Sequence, residues 1–270
     1  DKPENFKGLT KEREPLKVKD MLEVMKGNRP LQCYIISAAS DKIAQVTASQ
    51  AVIVTLLNGI IIGNMGISTI LTVIGMLPSI LFAIGGAKYA GKYGNMETIV
   101  TWTKICIAIS VIMCGFFVII NPKDIAKMGV MTIIYVVFTL CKNGANMCTT
   151  TANTAFMSDL IDYELDRSGR YVPAVVTGTY SFLDKLISSC GAAIAAGAVA
   201  LVGYKTTVPQ PGDASTPAIF WLTMFLTFGL PIIGWICTLV AMKFCKLNKA
   251  EMVEVQKRIA AKKEALKKEA

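Results

Sequence analysis

The stretch MSDLIDYELDRSGRYVPAVVTGTYSFLDK, residues 157–185, sets the reading of the whole chain. It opens with a dense polar run, Asp159, Asp162, Glu164, Asp166, Arg167 and Arg170, and then enters a long apolar segment. Asp184 and Lys185 stand side by side roughly three to four turns inside that segment. Both flanks of the stretch are strongly apolar. An acid-and-arginine cluster between two membrane-length segments, with a lysine beyond it, suits a gate and binding site within a membrane bundle rather than a soluble core.

Composition points the same way. Of 270 residues 53% are hydrophobic and 17% charged, with a mean hydropathy of +0.50; a soluble domain carries about a quarter charged residues. Apolar runs of about twenty residues recur, so the expected class is an all-α membrane protein. There is no histidine, which removes the usual general base and the commonest metal ligand. With no nucleophile–base pair in view, the chain is not expected to be an enzyme. The eight cysteines form no CxxC pair and most lie in apolar runs, so neither a disulfide framework nor a metal site is expected, and no cofactor. The net charge of +9 flanks the apolar runs; it implies a lipid bilayer as partner and no nucleic acid. The opening residues have no signal-peptide character. The first residue is Asp1, not methionine, so the chain is expected to be processed or part of something longer.

Three regions are expected. Residues 1–29 form a basic arm, with VKDMLEVMK (18–26) lying along the membrane surface. Residues 30–242 form a bundle of six transmembrane helices, with spans near 30–60, 67–87, 99–120, 130–154, 172–204 and 218–242. Residues 243–270 read as a charged, solvated tail helix. Residues 157–171 read as an acidic loop between the fourth and fifth spans. Of the 28 Lys/Arg, twenty-one fall on the side of the two termini and three (Lys123, Lys127, Lys205) on the other. The positive-inside rule therefore places both termini in the cytoplasm.

Four lysines remain within spans: Lys42, Lys104, Lys142 and Lys185. Lys104 is near enough to its helix end to snorkel. Ionisable groups deeper in a span normally face a cavity or a partner. Asp184 points roughly a hundred degrees away from Lys185 around the helix, so each needs a partner on another helix, among Asp41, Lys42 and Lys142. Such charges either fix helix register as a buried ion-pair network or line a cavity that binds substrate or senses a coupling ion. Asn146, Thr150, Asn153 and Thr154 make one polar stripe at helical spacing. The stripe suits sugar hydroxyls, and equally suits interhelical hydrogen bonding. Tyr180 and Ser181 lie one turn before Lys185 and are expected to line the same cavity, Tyr180 stacking on a sugar ring. Asp159 and Asp162, i and i+3 on one face, are expected to pair with Arg167, Arg170 or a neighbouring basic loop in one state only, a conformational latch for a rocking motion; the plainer alternative is a solvated turn.

SDLIDYE (158–164) followed by arginine, then a span with a mid-helix lysine and a small-residue run ending in Gly203–Tyr204, resembles the glycoside–pentoside–hexuronide:cation symporters. That group includes the melibiose permease and lies within the major facilitator superfamily. The resemblance runs along the whole chain, whose six spans look like the seventh to twelfth of a twelve-span protein. It implies half of a major facilitator fold, a 3+3 inverted repeat, serving cation-coupled (Na⁺ or H⁺) sugar or glycoside transport at the cell membrane. Lys185 matches the family's lysine near the cation and sugar sites. Asp159, Asp162, Tyr163 and Arg170 match its loop between spans ten and eleven. Gly91 stands where the superfamily's loop motif usually has an acid, and the fourth span lacks the tryptophan some members use near the sugar. The family's cation-binding aspartates sit in the N-terminal half. That six-helix half is the expected partner, supplied by the same polypeptide, a separate chain or a second copy. The rival reading is a non-transporting membrane receptor or assembly subunit that keeps the fold.

Overall fold

In a computed structural model, described for residues 24–169, 171 and 173–269, the chain is a bundle of long helices. Five helices are each long and apolar enough to cross a membrane, and one bent pair makes a sixth span. The first span is that pair: α1 (Arg29–Ser49) and α2 (Ala51–Ile62), bent by 58°. The break falls at Gln50, whose backbone is extended. Beyond it, Thr55–Ile62 winds as a π-helix and closes on Gly63 in the left-handed region. The other spans are α3 (Gly66–Tyr93), α4 (Asn95–Ile119), α5 (Val130–Ser168), α6 (Pro173–Leu201) and α7 (Pro217–Phe244). The NPKD turn is part of a 3₁₀ helix, Pro122–Lys127. A tail helix, α8 (Lys249–Glu269), follows.

The packing gives the topology. The first span packs on the fifth and sixth, whereas the fourth packs on the second and third. The third and sixth meet across the middle. Exchanging spans one to three with four to six preserves this pattern, and three helices per repeat invert its direction; the fold is a 3+3 inverted repeat. Small residues sit where helices cross closely, as lipid-embedded packing requires. A Cβ on Gly86 of α3 would lie 2.8 Å from the Cys148 Cα of α5, and one on Gly234 of α7 would lie 2.7 Å from the Ser40 carbonyl oxygen of α1. The outer face of α3 (Val73, Met76, Leu77, Ile80, Leu81) is exposed and wholly apolar, a face for lipid.

Two expectations are corrected here. The acidic stretch is not a loop. Helix α5 runs for 39 residues, roughly 58 Å against a hydrocarbon core of about 30 Å, so its acidic last turns project beyond the bilayer before Gly169 ends it in the left-handed conformation. Nor is the tail free in solvent. Val255 and Ile259 of α8 are buried against Leu165 of α5, and Lys249 binds the α3–α4 turn through the Gly91 and Lys92 carbonyls, at 3.1 and 2.6 Å. The expected surface helix at 18–26 lies largely outside the described residues.

Candidate functional site

The site is built from α1, α5, α6 and α7. Lys42 on α1 and Asp184 on α6 form an ion pair, Nζ to Oδ1 3.1 Å, with side chains 37% and 17% exposed. Asp184 thus finds its partner on another helix, among the three candidates the sequence offers. Lys185, the next residue, does not. It is exposed on the α6 surface and makes no ion pair with a described residue, because its helix turns it away from α1 toward the open side of the bundle.

Ser181 shares that open side of α6, and Thr150 and Thr154 are exposed on α5. Both threonine hydroxyls donate to carbonyls four residues back, at 3.0 Å each, which leaves hydroxyl lone pairs facing outward. Asn146 and Asn153, the other half of the stripe, are turned partly inward. Tyr180 packs on Tyr34, ring centroids 5.5 Å apart, and Tyr34 in turn meets Phe156 at 5.8 Å. One Tyr180 face is therefore occupied by protein. Beside the Lys42–Asp184 pair is a crevice of about 10 Å³ lined by Ala38, Ala39, Tyr180 and Leu183, room for about one water.

Asp41 belongs elsewhere. It is buried inside the bundle rather than on the open face. Trp235 Nε1–H of α7 donates to Oδ1 at 2.9 Å and Gln45 Nε2–H to Oδ2 at 2.7 Å. Gln45 Nε2 also reaches Asn146 Oδ1 at 3.3 Å. Neighbours in sequence, Asp41 and Lys42 therefore tie α1 to two different helices, α7 and α6. Sequence reasoning did not single out Trp235, which reads as one more apolar residue in an apolar span. Lys142 faces the Phe228 ring, 5.3 Å from its centroid.

At the tail end of the bundle the acids are fully engaged, though not as a latch with Arg167. Asp159 accepts from Asn95 Nδ2 at 2.7 Å and Asp162 from Gln256 Nε2 at 2.7 Å. Arg167 instead clamps Glu164, Nη2 to Oε1 2.8 Å and Nε to Oε2 3.0 Å. Glu164 is 1% exposed and also accepts from Asn28 Nδ2 at 2.9 Å. The spacing explains the difference: Arg167 is one turn beyond Glu164 on the same helix face. Asp166 pairs with Arg258 and Lys262 of α8, at 2.7 and 2.9 Å. Arg170 lies outside the described residues. A groove of about 560 Å³ runs beside α8, lined by Gly91, Asn95, Asp159, Met252 and Lys257 among others. It is the larger cavity but lies far along the bundle from the Lys42–Asp184 pair.

An inverted-repeat bundle of six membrane-length spans is the architecture of half a membrane transporter. The sequence model of the family described as MFS/sugar transport protein matches residues 3–249. The chain belongs to that family, a multi-pass sugar transporter of the major facilitator superfamily rather than a member of an enzyme family. No curated protein matches the chain significantly.

Proposed function

We propose that the chain supplies the C-terminal bundle of a glycoside–pentoside–hexuronide:cation symporter, moving a sugar or glycoside with Na⁺ or H⁺ by alternating access. The carrying observation is Lys185: a lysine about mid-span that makes no ion pair with a described residue and is exposed one turn beyond Ser181 on α6. A charge so placed is too costly against lipid, so that face meets a polar cavity closed by an N-terminal bundle. That bundle comes from the same polypeptide, a separate chain or a second copy. Sugar hydroxyls would take the Thr150, Thr154 and Ser181 hydroxyls, with Lys185 beside the coupling ion. The Lys42–Asp184 pair holds α1 to α6 at the cavity edge. The basic termini and the docked tail are read as cytoplasmic, in the cell membrane.

Uptake of a labelled glycoside panel into vesicles carrying the intact native protein tests this reading. Accumulation driven by an imposed Na⁺ or H⁺ gradient, lost in Lys185→Ala with normal membrane insertion, is the expected outcome. A protein that inserts, binds partners and moves no sugar under either gradient would be the receptor-like alternative.

A further inference from the structure

We infer that Asn143 of α5 is a sugar-binding residue that takes two neighbouring ring hydroxyls of the substrate and so selects among glycosides; the inference rests on the sugar-transport reading above. Helix α5 begins at Val130 and Asn143 comes thirteen residues later, roughly 20 Å along the axis of a hydrocarbon core about 30 Å thick. It is the exposed polar residue of α5 nearest the middle of the bilayer, the depth at which transporter bundles hold substrate. Its side chain makes no hydrogen bond with a described residue. A carboxamide has two donor hydrogens and two acceptor lone pairs, and leaving all four unmet in hydrocarbon is costly. This face of α5 therefore meets a polar cavity rather than lipid.

Asn143 heads a stripe whose other members cannot replace it. Asn143, Met147, Thr150 and Thr154 recur at i, i+4, i+7 and i+11, within about 60° of arc, and all four are exposed. Asn146 lies roughly 60° further round, toward α1, where its Oδ1 accepts from Gln45 Nε2 at 3.3 Å. The stripe threonines have already spent their hydroxyl hydrogens. Thr150 donates to the Asn146 carbonyl and Thr154 to the Thr150 carbonyl, at 3.0 Å each, so they offer a sugar lone pairs only. Asn143 is the member of this stripe with donors to give, two N–H hydrogens beside an acceptor oxygen.

A carboxamide matches a pair of neighbouring hydroxyls. Oδ1 accepts the hydrogen of one hydroxyl while Nδ2–H donates to the oxygen of the next, both bonds lying near the plane of the amide. Adjacent carbons of a sugar ring carry such pairs, so the ligand class is a pyranoside with two neighbouring free hydroxyls. Thr150 lies roughly 10 Å further along the axis, far enough to accept from a different ring or from the group the sugar carries. Selection follows because a site built to bond a hydroxyl rejects an analogue that lacks it, its own amide being left unpaired. An Asn143 that instead bonded a helix of the N-terminal bundle would use the same four positions and give no discrimination between sugars.

The test uses the intact native protein in vesicles, the glycoside of the uptake panel that the wild type takes up best, and its monodeoxy analogues as competitors, one for each ring hydroxyl. In the wild type, two analogues lacking hydroxyls at adjacent ring positions should compete about tenfold more weakly than the parent. Asn143→Ala should weaken the parent at least as much and no longer distinguish it from those two analogues. Asn143→Gln keeps the amide but moves it by one methylene, and should flatten the same two ratios, which covers an alanine variant that folds poorly. If every analogue keeps its wild-type ratio to the parent in the variants, the inference is overturned even where the uptake rate falls, since that is the pattern of a contact to the N-terminal bundle. An Asn143→Ala affinity within about twofold of the wild type overturns it as well. The two failures look different: unaltered ratios in a wild type that transports remove this assignment alone, whereas a wild type that takes up no glycoside under either gradient removes the sugar-transport reading and the assignment with it.

Discussion

Truncating Glu164 should loosen the tail end of the bundle by an amount its surroundings allow to be worked out. Its carboxylate is 1% exposed and takes three bonds, two from Arg167 and one from Asn28. Removing one member of a fully buried pair costs about 3–5 kcal/mol. Arg167 is 34% exposed, so water compensates part of the loss, and about 2–3 kcal/mol is the expected penalty for Glu164→Ala. At ~2–4 °C per kcal/mol for a chain of this size, the melting temperature should fall by roughly 5–10 °C. Asn28 also accepts from the Leu31 N–H as the N-cap of α1, at 2.9 Å, so part of the effect should appear as fraying where the first span begins. Thermal unfolding of the purified protein in detergent, followed by tryptophan fluorescence, reads the shift. Glu164→Gln keeps an acceptor for Asn28 and should lose about half as much. A double-mutant cycle with Arg167→Ala should give a coupling of ~1–3 kcal/mol. A melting temperature for Glu164→Ala within about 1 °C of wild type would refute the reasoning, because a buried carboxylate with three bonds cannot be that nearly neutral.

Three further outcomes are expected. Gly86→Ala places a Cβ 2.8 Å from the Cys148 Cα, a backbone atom that cannot step aside; it should destabilise by ~1–3 kcal/mol. Exchanging the Lys42–Asp184 pair as Lys42→Asp with Asp184→Lys should restore much of the stability that either single change removes, measured by the same melts; failure of the exchange to rescue would show that the pair does not hold α1 to α6. Asp166→Ala removes the acceptor shared by Arg258 and Lys262, so trypsin should cut α8 several-fold faster in the variant, and raised salt should narrow the difference; equal rates would mean the apolar contacts of Val255 and Ile259 alone hold the tail.

The number, order and approximate limits of the spans were legible in hydropathy, because each must cross the same thickness of hydrocarbon. The charges were legible too, since ionised groups in apolar runs stand out. Their partners were not. Lys42 and Asp184 are 142 positions apart, and which of three candidates Asp184 meets depends on helix rotation, to which composition is blind. Asp159, Asp162, Glu164 and Asp166 looked like a loop because dense charge usually marks solvent-exposed turns. They form helix because Arg167 clamps Glu164 within a turn and the tail supplies Gln256, Arg258 and Lys262 from outside. One hint was available: Asp159, Asp162 and Asp166 recur at i, i+3 and i+7, one stripe of a helix. Trp235 carried no signal at all, since its indole N–H matters only once α7 is laid against Asp41.

The exchanged packing of the two repeats also sets a schedule for synthesis. The first span finds most of its neighbours in the fifth and sixth, and Asp41 waits 194 residues for Trp235. At about 5–20 residues per second that is roughly 10–40 s between the making of Asp41 and that of its indole partner on α7. A newborn chain of this kind cannot release its helices one by one into lipid. Its early spans must be sheltered by the insertion machinery until the last has been made, and folding then closes around the first helix rather than growing outward from it.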